Sequence, residues 1–215
     1  MKTLKSITIL LYQTANFLAS PTGTVDIYNN SAGCDNPSEV ANGCGITLSC
    51  LPYGNYYFLS QDNVDHFQIN YPGCANLEGN VTIKGTDITG LTGLSQINSI
   101  GGYVMIGEIY PPLIGNPVLT SLAGLESLVY VGGDLWISSN DSLASLTGLD
   151  NLDSIGGGLY IGLQEDGGNS KNVEALSSIS ALGNLTYIGG DLFIEGTSCS
   201  SFLGLDSLIY VGGNL

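Results

Sequence analysis

A chain of 215 residues with 43% apolar and only 11% charged residues carries enough apolar surface for a continuous core, which excludes a disordered chain. Its 19 acidic residues face four lysines (Lys2, Lys5, Lys84, Lys171) and no arginine, a formal net charge of −15. That balance excludes nucleic-acid binding and attraction to anionic lipid, both of which need a cationic surface.

Residues 1–20 open on Met1, Lys2 and Lys5 and continue through the apolar run Ile7 to Tyr12, broken at Gln13 and Asn16. A basic start followed by a short apolar run reads as a secretory signal. No stretch approaches the roughly 18 apolar residues that a membrane span needs. Residues 21–78 form a cysteine-containing N-terminal region. Cys34, Cys44, Cys50 and Cys74 fall at spacings of 10, 6 and 24, which predicts two disulfides with three possible pairings. Cys34–Cys44 with Cys50–Cys74 is the simplest. Zinc is the rival reading, although no C-x-x-C pair and no nearby second ligand type supports it. Ser60 to Asn70 predicts a short cap helix with Ser60 as N-cap and Val64 and Phe67 turned inward.

Residues 79–215 repeat. A line of the form Gly-Leu-x-x-Leu-x-x-Val-Gly-Gly-x-Leu-x-Ile, with Ile, Leu and Val interchanging, recurs from Gly93, Gly124, Gly148, Ala181 and Gly204. A degenerate copy precedes them at Glu78 to Ile83. Aligned on one glycine, the copies fall at 79, 102, 133, 157, 190 and 213, steps of 23, 31, 24, 33 and 23. A unit near 23 residues is the length of one coil of a leucine-rich-type solenoid. In the copy from Leu119 the apolar residues are Leu119, Leu122, Leu125, Leu128, Val131, Leu135 and Ile137. Steps of three suit tight turns or 3₁₀ segments, and the final step of two, after Gly-Gly, is strand alternation. The glycines are expected to supply positive backbone angles at a sharp corner. Cys199 occupies the slot of Leu119 and Leu143, the position of a buried inert thiol. The longer steps arise from insertions at residues 107–118 and 162–175, just after the strand. The chain stops at Leu215 inside a repeat, which reads as a C-terminally truncated array.

The line Leu185-Thr186-Tyr187-Ile188-Gly189-Gly190-Asp191-Leu192-Phe193-Ile194 resembles the repeat of receptor L-domain-like and leucine-rich-repeat surface proteins. The stretch from Asn70-Tyr71-Pro72-Gly73-Cys74 to Ile83 is similar to the entry segment of bacterial members. The resemblance spans residues 50–215. It implies a β-rich, right-handed solenoid with one parallel sheet per face and a disulfide-containing N-terminal cap. Adhesion, receptor and wall-associated roles at a cell surface go with it, and no catalytic residue or cofactor is implied.

The register places Thr82, Met105, Trp136, Tyr160 and Phe193 outward, one per coil. Trp136, Tyr160 and Phe193 are expected to form a continuous ladder at the spacing of about 4.8 Å between strands. Tyr130, Tyr187 and Tyr210 form a second column before the glycines, and Tyr110 lies in the first insertion. Such columns suit a glycan or protein ligand, although aromatic residues also favour strands with no ligand at all. Asp134 and Asp191 share one strand position two coils apart, on the order of 10 Å, near the upper end of inverting-glycosidase spacing. Asp134 with Asn140 and Asp141 offers oxygen ligands for calcium, but polar residues at a solvated turn explain all four. His66, the single histidine, is expected to be solvated or capping. The sequons at Asn29, Asn80, Asn140 and Asn184 matter only in a glycosylating host. A secreted or cell-surface recognition module follows, with a structural spacer and a carbohydrate-active enzyme as alternatives.

Overall fold

The computed structural model describes residues 50–51, 54–109, 115–164, 170–171 and 173–215. It is β-rich, with two six-stranded parallel sheets and few helices. Successive strands alternate between the sheets. The first sheet contains β1 (Tyr56–Phe58), β3 (Val81–Ile83), β5 (Val104–Gly107), β7 (Leu135–Ser138), β9 (Leu159–Ile161) and β13 (Leu192–Ile194). The second contains β2 (Asn76–Leu77), β4 (Ser99–Ile100), β6 (Tyr130–Val131), β8 (Ser154–Ile155), β12 (Tyr187–Ile188) and β14 (Tyr210–Val211). The Gly-Gly pairs at 101–102, 132–133, 156–157 and 189–190 thus each sit between a two-residue strand of one sheet and a longer strand of the other.

The steps of three put every apolar residue of a repeat into one core. Leu119, Leu122, Leu125, Leu128, Val131, Leu135 and Ile137 are each no more than 1% exposed. The backbone between them closes i→i+3 hydrogen bonds: the Leu152 N–H donates to the Leu149 carbonyl and that of Leu149 to Leu146, both at 3.0 Å. A 3₁₀ pattern of three residues per turn returns every third side chain to the same side. Cys199 lies in this column, partly buried, its thiol 3.5 Å from the Leu176 carbonyl.

The Gly-Gly pairs are required for a different reason from the one their position predicts. None of them has a positive φ; the corner glycines that do are Gly124, Gly148 and Gly204 at the start of the repeat, with φ of 113°, 113° and 116°. In the pairs, the backbones of neighbouring repeats approach too closely for a side chain. A Cβ at Gly132 would stand 2.2 Å from the Gly101 carbonyl oxygen, and one at Gly156 2.3 Å from that of Gly132. At the second glycine the obstacle is an acceptor side chain in some repeats and backbone in others: a Cβ at Gly157 would meet Asp134 Oδ1 at 2.3 Å, and one at Gly133 the Tyr103 amide nitrogen at 2.7 Å.

The array begins earlier than the repeat pattern indicates. β1 pairs with β3 in the first sheet and β2 with β4 in the second, so both sheets extend into the N-terminal region. Between β1 and β2 stand two short helices, α1 (Gln61–Asp65) and α2 (Phe67–Asn70), rather than one continuous helix. Ser60 caps α1 by accepting from the Asn63 N–H, and Val64 and Phe67 are buried. Gln61 ties α1 to the next repeat, donating to the Gly90 carbonyl and accepting from the Thr89 and Gly90 amides. Beneath the helices Tyr56, Phe58, Phe67 and Tyr71 form an edge-to-face cluster. Cys50 and Cys74 form a disulfide beside it. Cys34, Cys44 and the proposed signal lie outside the described residues.

The first insertion is fastened where it leaves β5. Glu108 turns inward to an ion pair with Lys84 and accepts from the Ile109 amide. Its carbonyl accepts from the Ser139 hydroxyl at 2.8 Å. Asn116, where the insertion rejoins the repeat, is fully buried and donates to the Ile83 carbonyl and to Asn140 Oδ1. Asn140 in turn donates to the Ile106 and Ser138 carbonyls. The two amides satisfy backbone groups that would otherwise be stranded in the core. The second insertion carries an antiparallel pair, β10 (Leu163–Gln164) and β11 (Ser170–Lys171).

Candidate functional site

Strand alternation turns the middle residue of each first-sheet strand away from the core. Cα pairing aligns Tyr57, Thr82, Met105, Trp136, Tyr160 and Phe193 across the whole sheet. Tyr57 is the member that repeat analysis misses. Its signal is present in the sequence: Gly54-Asn55 precedes β1 as Gly79-Asn80 precedes β3. The ends of this column are the more open, with Tyr57 and Phe193 each 38% exposed, whereas Thr82 is buried. Met105, Trp136 and Tyr160 are half-buried.

Trp136 and Tyr160 stack on one another, ring centroids 4.0 Å apart and planes within 13°. The expected continuous ladder is therefore a stacked pair, with Phe193 next in register beyond it. Two rings in this arrangement cover one another's faces, leaving their edges and outer surfaces for solvent. Tyr160 is further fixed by the gap at Gly158, where a Cβ would lie 2.5 Å from the tyrosine ring. Its hydroxyl donates to Asp191. Desolvation first, and then the charges of Asp134 and Asp191, push its pKa above the ordinary tyrosine value.

The two aspartates have a backbone role. Asp134 Oδ1 accepts the Gly158 N–H at 2.7 Å, and Asp191 Oδ1 accepts the Asn214 N–H at 2.6 Å. Asn55 and Asn80 do the same for the amides of Asn80 and Tyr103, each at 2.9 Å. One acceptor after the glycines thus clips each of these repeats to the next, and Tyr160 covers the position where Gly158 leaves it open. The suggested calcium ligand Asn140 is fully buried with its amide engaged, so its sequon is also inaccessible in the fold. No group of three or more potential metal-binding His, Cys, Asp or Glu residues occurs among the described residues. His66 Nδ1 lies 2.9 Å from the Asp62 carbonyl at the end of α1.

On the second sheet the outward column is Asn76, Ser99, Tyr130, Ser154, Tyr187 and Tyr210. Tyr187 and Tyr210 stack at 5.0 Å with planes 8° apart, while Ser154 separates Tyr130 from Tyr187. All three tyrosines are more than 40% exposed. An open groove of about 660 Å³ runs beside this column, lined by Asn98, Glu126, Asn151, Asp153, Asn184 and Thr186 among others. Tyr110 lies outside the described residues.

Protein-family models, curated proteins and solved structures give no match to this chain. The functional reading therefore rests on the geometry: two columns of outward aromatic side chains, one on each parallel sheet.

Proposed function

We propose that this chain is a secreted or cell-surface recognition module of the leucine-rich-repeat, receptor L-domain-like kind, a right-handed solenoid binding a protein or glycan partner through its strand face. The alternation of strands between two parallel sheets, in units near 23 residues, supports the solenoid. The Cys50–Cys74 disulfide supports an oxidising, extracellular setting. The observation that carries the recognition role is the register of Tyr57, Met105, Trp136, Tyr160 and Phe193 on one preformed surface. Large side chains held in place before binding lose little entropy on contact, which is the economy of a binding hot spot.

The mutual stacking of Trp136 and Tyr160 favours a protein partner over a sugar stacked flat on those rings. An edge-on aromatic pair with a hydroxyl nearby matches protein side chains and backbone better than it matches the face of a pyranose. The same stacking is what the spacer reading rests on, since it stabilises the sheet without a ligand. Phe193→Ser separates the two, because it alters an exposed ring outside the stacked pair. Recognition predicts lost binding to a partner with unchanged melting temperature; a spacer has no binding to lose.

A further inference from the structure

We propose that Tyr130, Ser154 and Tyr187 form a slot on the second sheet for an alkylated ammonium group. This site lies apart from the first-sheet column and does not depend on its role. Ser154 is the strand neighbour of both tyrosines, so a small side chain stands between two exposed rings. The stack with Tyr210 fixes the orientation of Tyr187: its plane lies across the direction in which the strands stack, and its other face is turned toward Ser154.

Two strand steps separate Tyr130 from Tyr187 by about 9.6 Å, too far for the rings to touch. A compact cation midway would lie about 4.8 Å from each ring, inside the roughly 6 Å reach of a cation–π contact on both sides. Charge points the same way. Asp153 precedes Ser154 and lines the adjoining groove with Glu126, and no lysine or arginine lines that groove. The chain as a whole carries −15, so a cation is drawn in and an anion repelled. Asp153 is already oriented by the Thr186 hydroxyl, which donates to its Oδ1 at 3.1 Å.

The test is calorimetric and NMR titration of the whole chain with choline and, separately, with a trilysine peptide, each against sodium chloride at matched ionic strength. Saturable binding in either arm is expected, and the arm that binds identifies a free quaternary amine or a lysine side chain as the source of the group. Tyr187→Leu should weaken it by about fivefold or more, while Tyr187→Phe, which keeps the ring, should bind like the parent. Ser154→Tyr fills the slot and should abolish binding while preserving the fold, because it completes the tyrosine column. Absence of binding in both arms, or binding equally strong in Tyr187→Leu and Ser154→Tyr, would overturn the proposal.

Discussion

Gly132 and Gly90 look alike in the sequence and are opposites in the structure. A methyl group at Gly132 meets the Gly101 carbonyl oxygen at 2.2 Å, whereas one at Gly90 meets nothing within 4 Å. Gly132→Ala should therefore cost about 2–3 kcal/mol by forcing neighbouring repeats apart, and Gly90→Ala should stay within about 0.5 kcal/mol of the parent in urea unfolding. Asn140 makes the corresponding case for a polar group. Its amide holds the Ile106 and Ser138 carbonyls and its Oδ1 accepts from Asn116, all in the dry interior. Asn140→Ala leaves these partners unsatisfied, so a loss of about 1–3 kcal/mol is expected in the same measurement. Lys84 faces Glu108, which is only 7% exposed, so Lys84→Met should destabilise by removing the counter-charge of a buried carboxylate rather than by losing a surface charge.

At the scale of elements, the N-terminal region has two adjoining fastenings. The Cys50–Cys74 disulfide closes a 24-residue separation, and its removal by Cys50→Ser with Cys74→Ser should cost about 3 kcal/mol by chain entropy. Tyr56 is the second. Burial, opposed by the Leu51 N–H that donates to its hydroxyl and reinforced by the charge of Glu78, pushes its pKa up to about 12. Burial likewise pushes Tyr71 up. The unfolded chain loses a tyrosine proton near pH 10, before the folded chain does, so stability is intact below pH 10 and falls as pH rises toward 12. The contribution of Tyr56 to that fall is about 3 kcal/mol. Tyrosinate absorbance at alkaline pH should show this ionisation arriving with the unfolding transition, and Tyr56→Phe should move the transition to higher pH.

The same scale shows what the sequence made legible. The steps of three and two located the core residues of the repeat from Leu119, and the register placed Trp136 beside Tyr160, because apolar periodicity and strand alternation are local properties. The purpose of Gly-Gly was hidden, since it depends on how near the next repeat lies. Asp134 and Asp191 looked like chemistry because a carboxylate that accepts a backbone amide 23 or 24 residues away has no local signature. The strand at Tyr56–Phe58 was masked by the cysteines and helices around it, although Gly54-Asn55 announced it.

Across the whole molecule, among the described residues, paired strands and close glycine contacts join each repeat to the one before, with side-chain clips at Asn55, Asn80, Asp134 and Asp191. A surface built this way is set before any partner arrives, and binding through it should bring little structural change. The two aromatic columns lie on different sheets, so the two proposed sites do not overlap. The most direct test is quantitative binding of the purified chain to glycan arrays and cell-surface protein fractions, with Trp136→Ala alongside and its fold verified by circular dichroism. A saturable partner is expected, bound at least about tenfold more weakly by the mutant. A partner bound equally well by both proteins, or none bound by either, would contradict the recognition role.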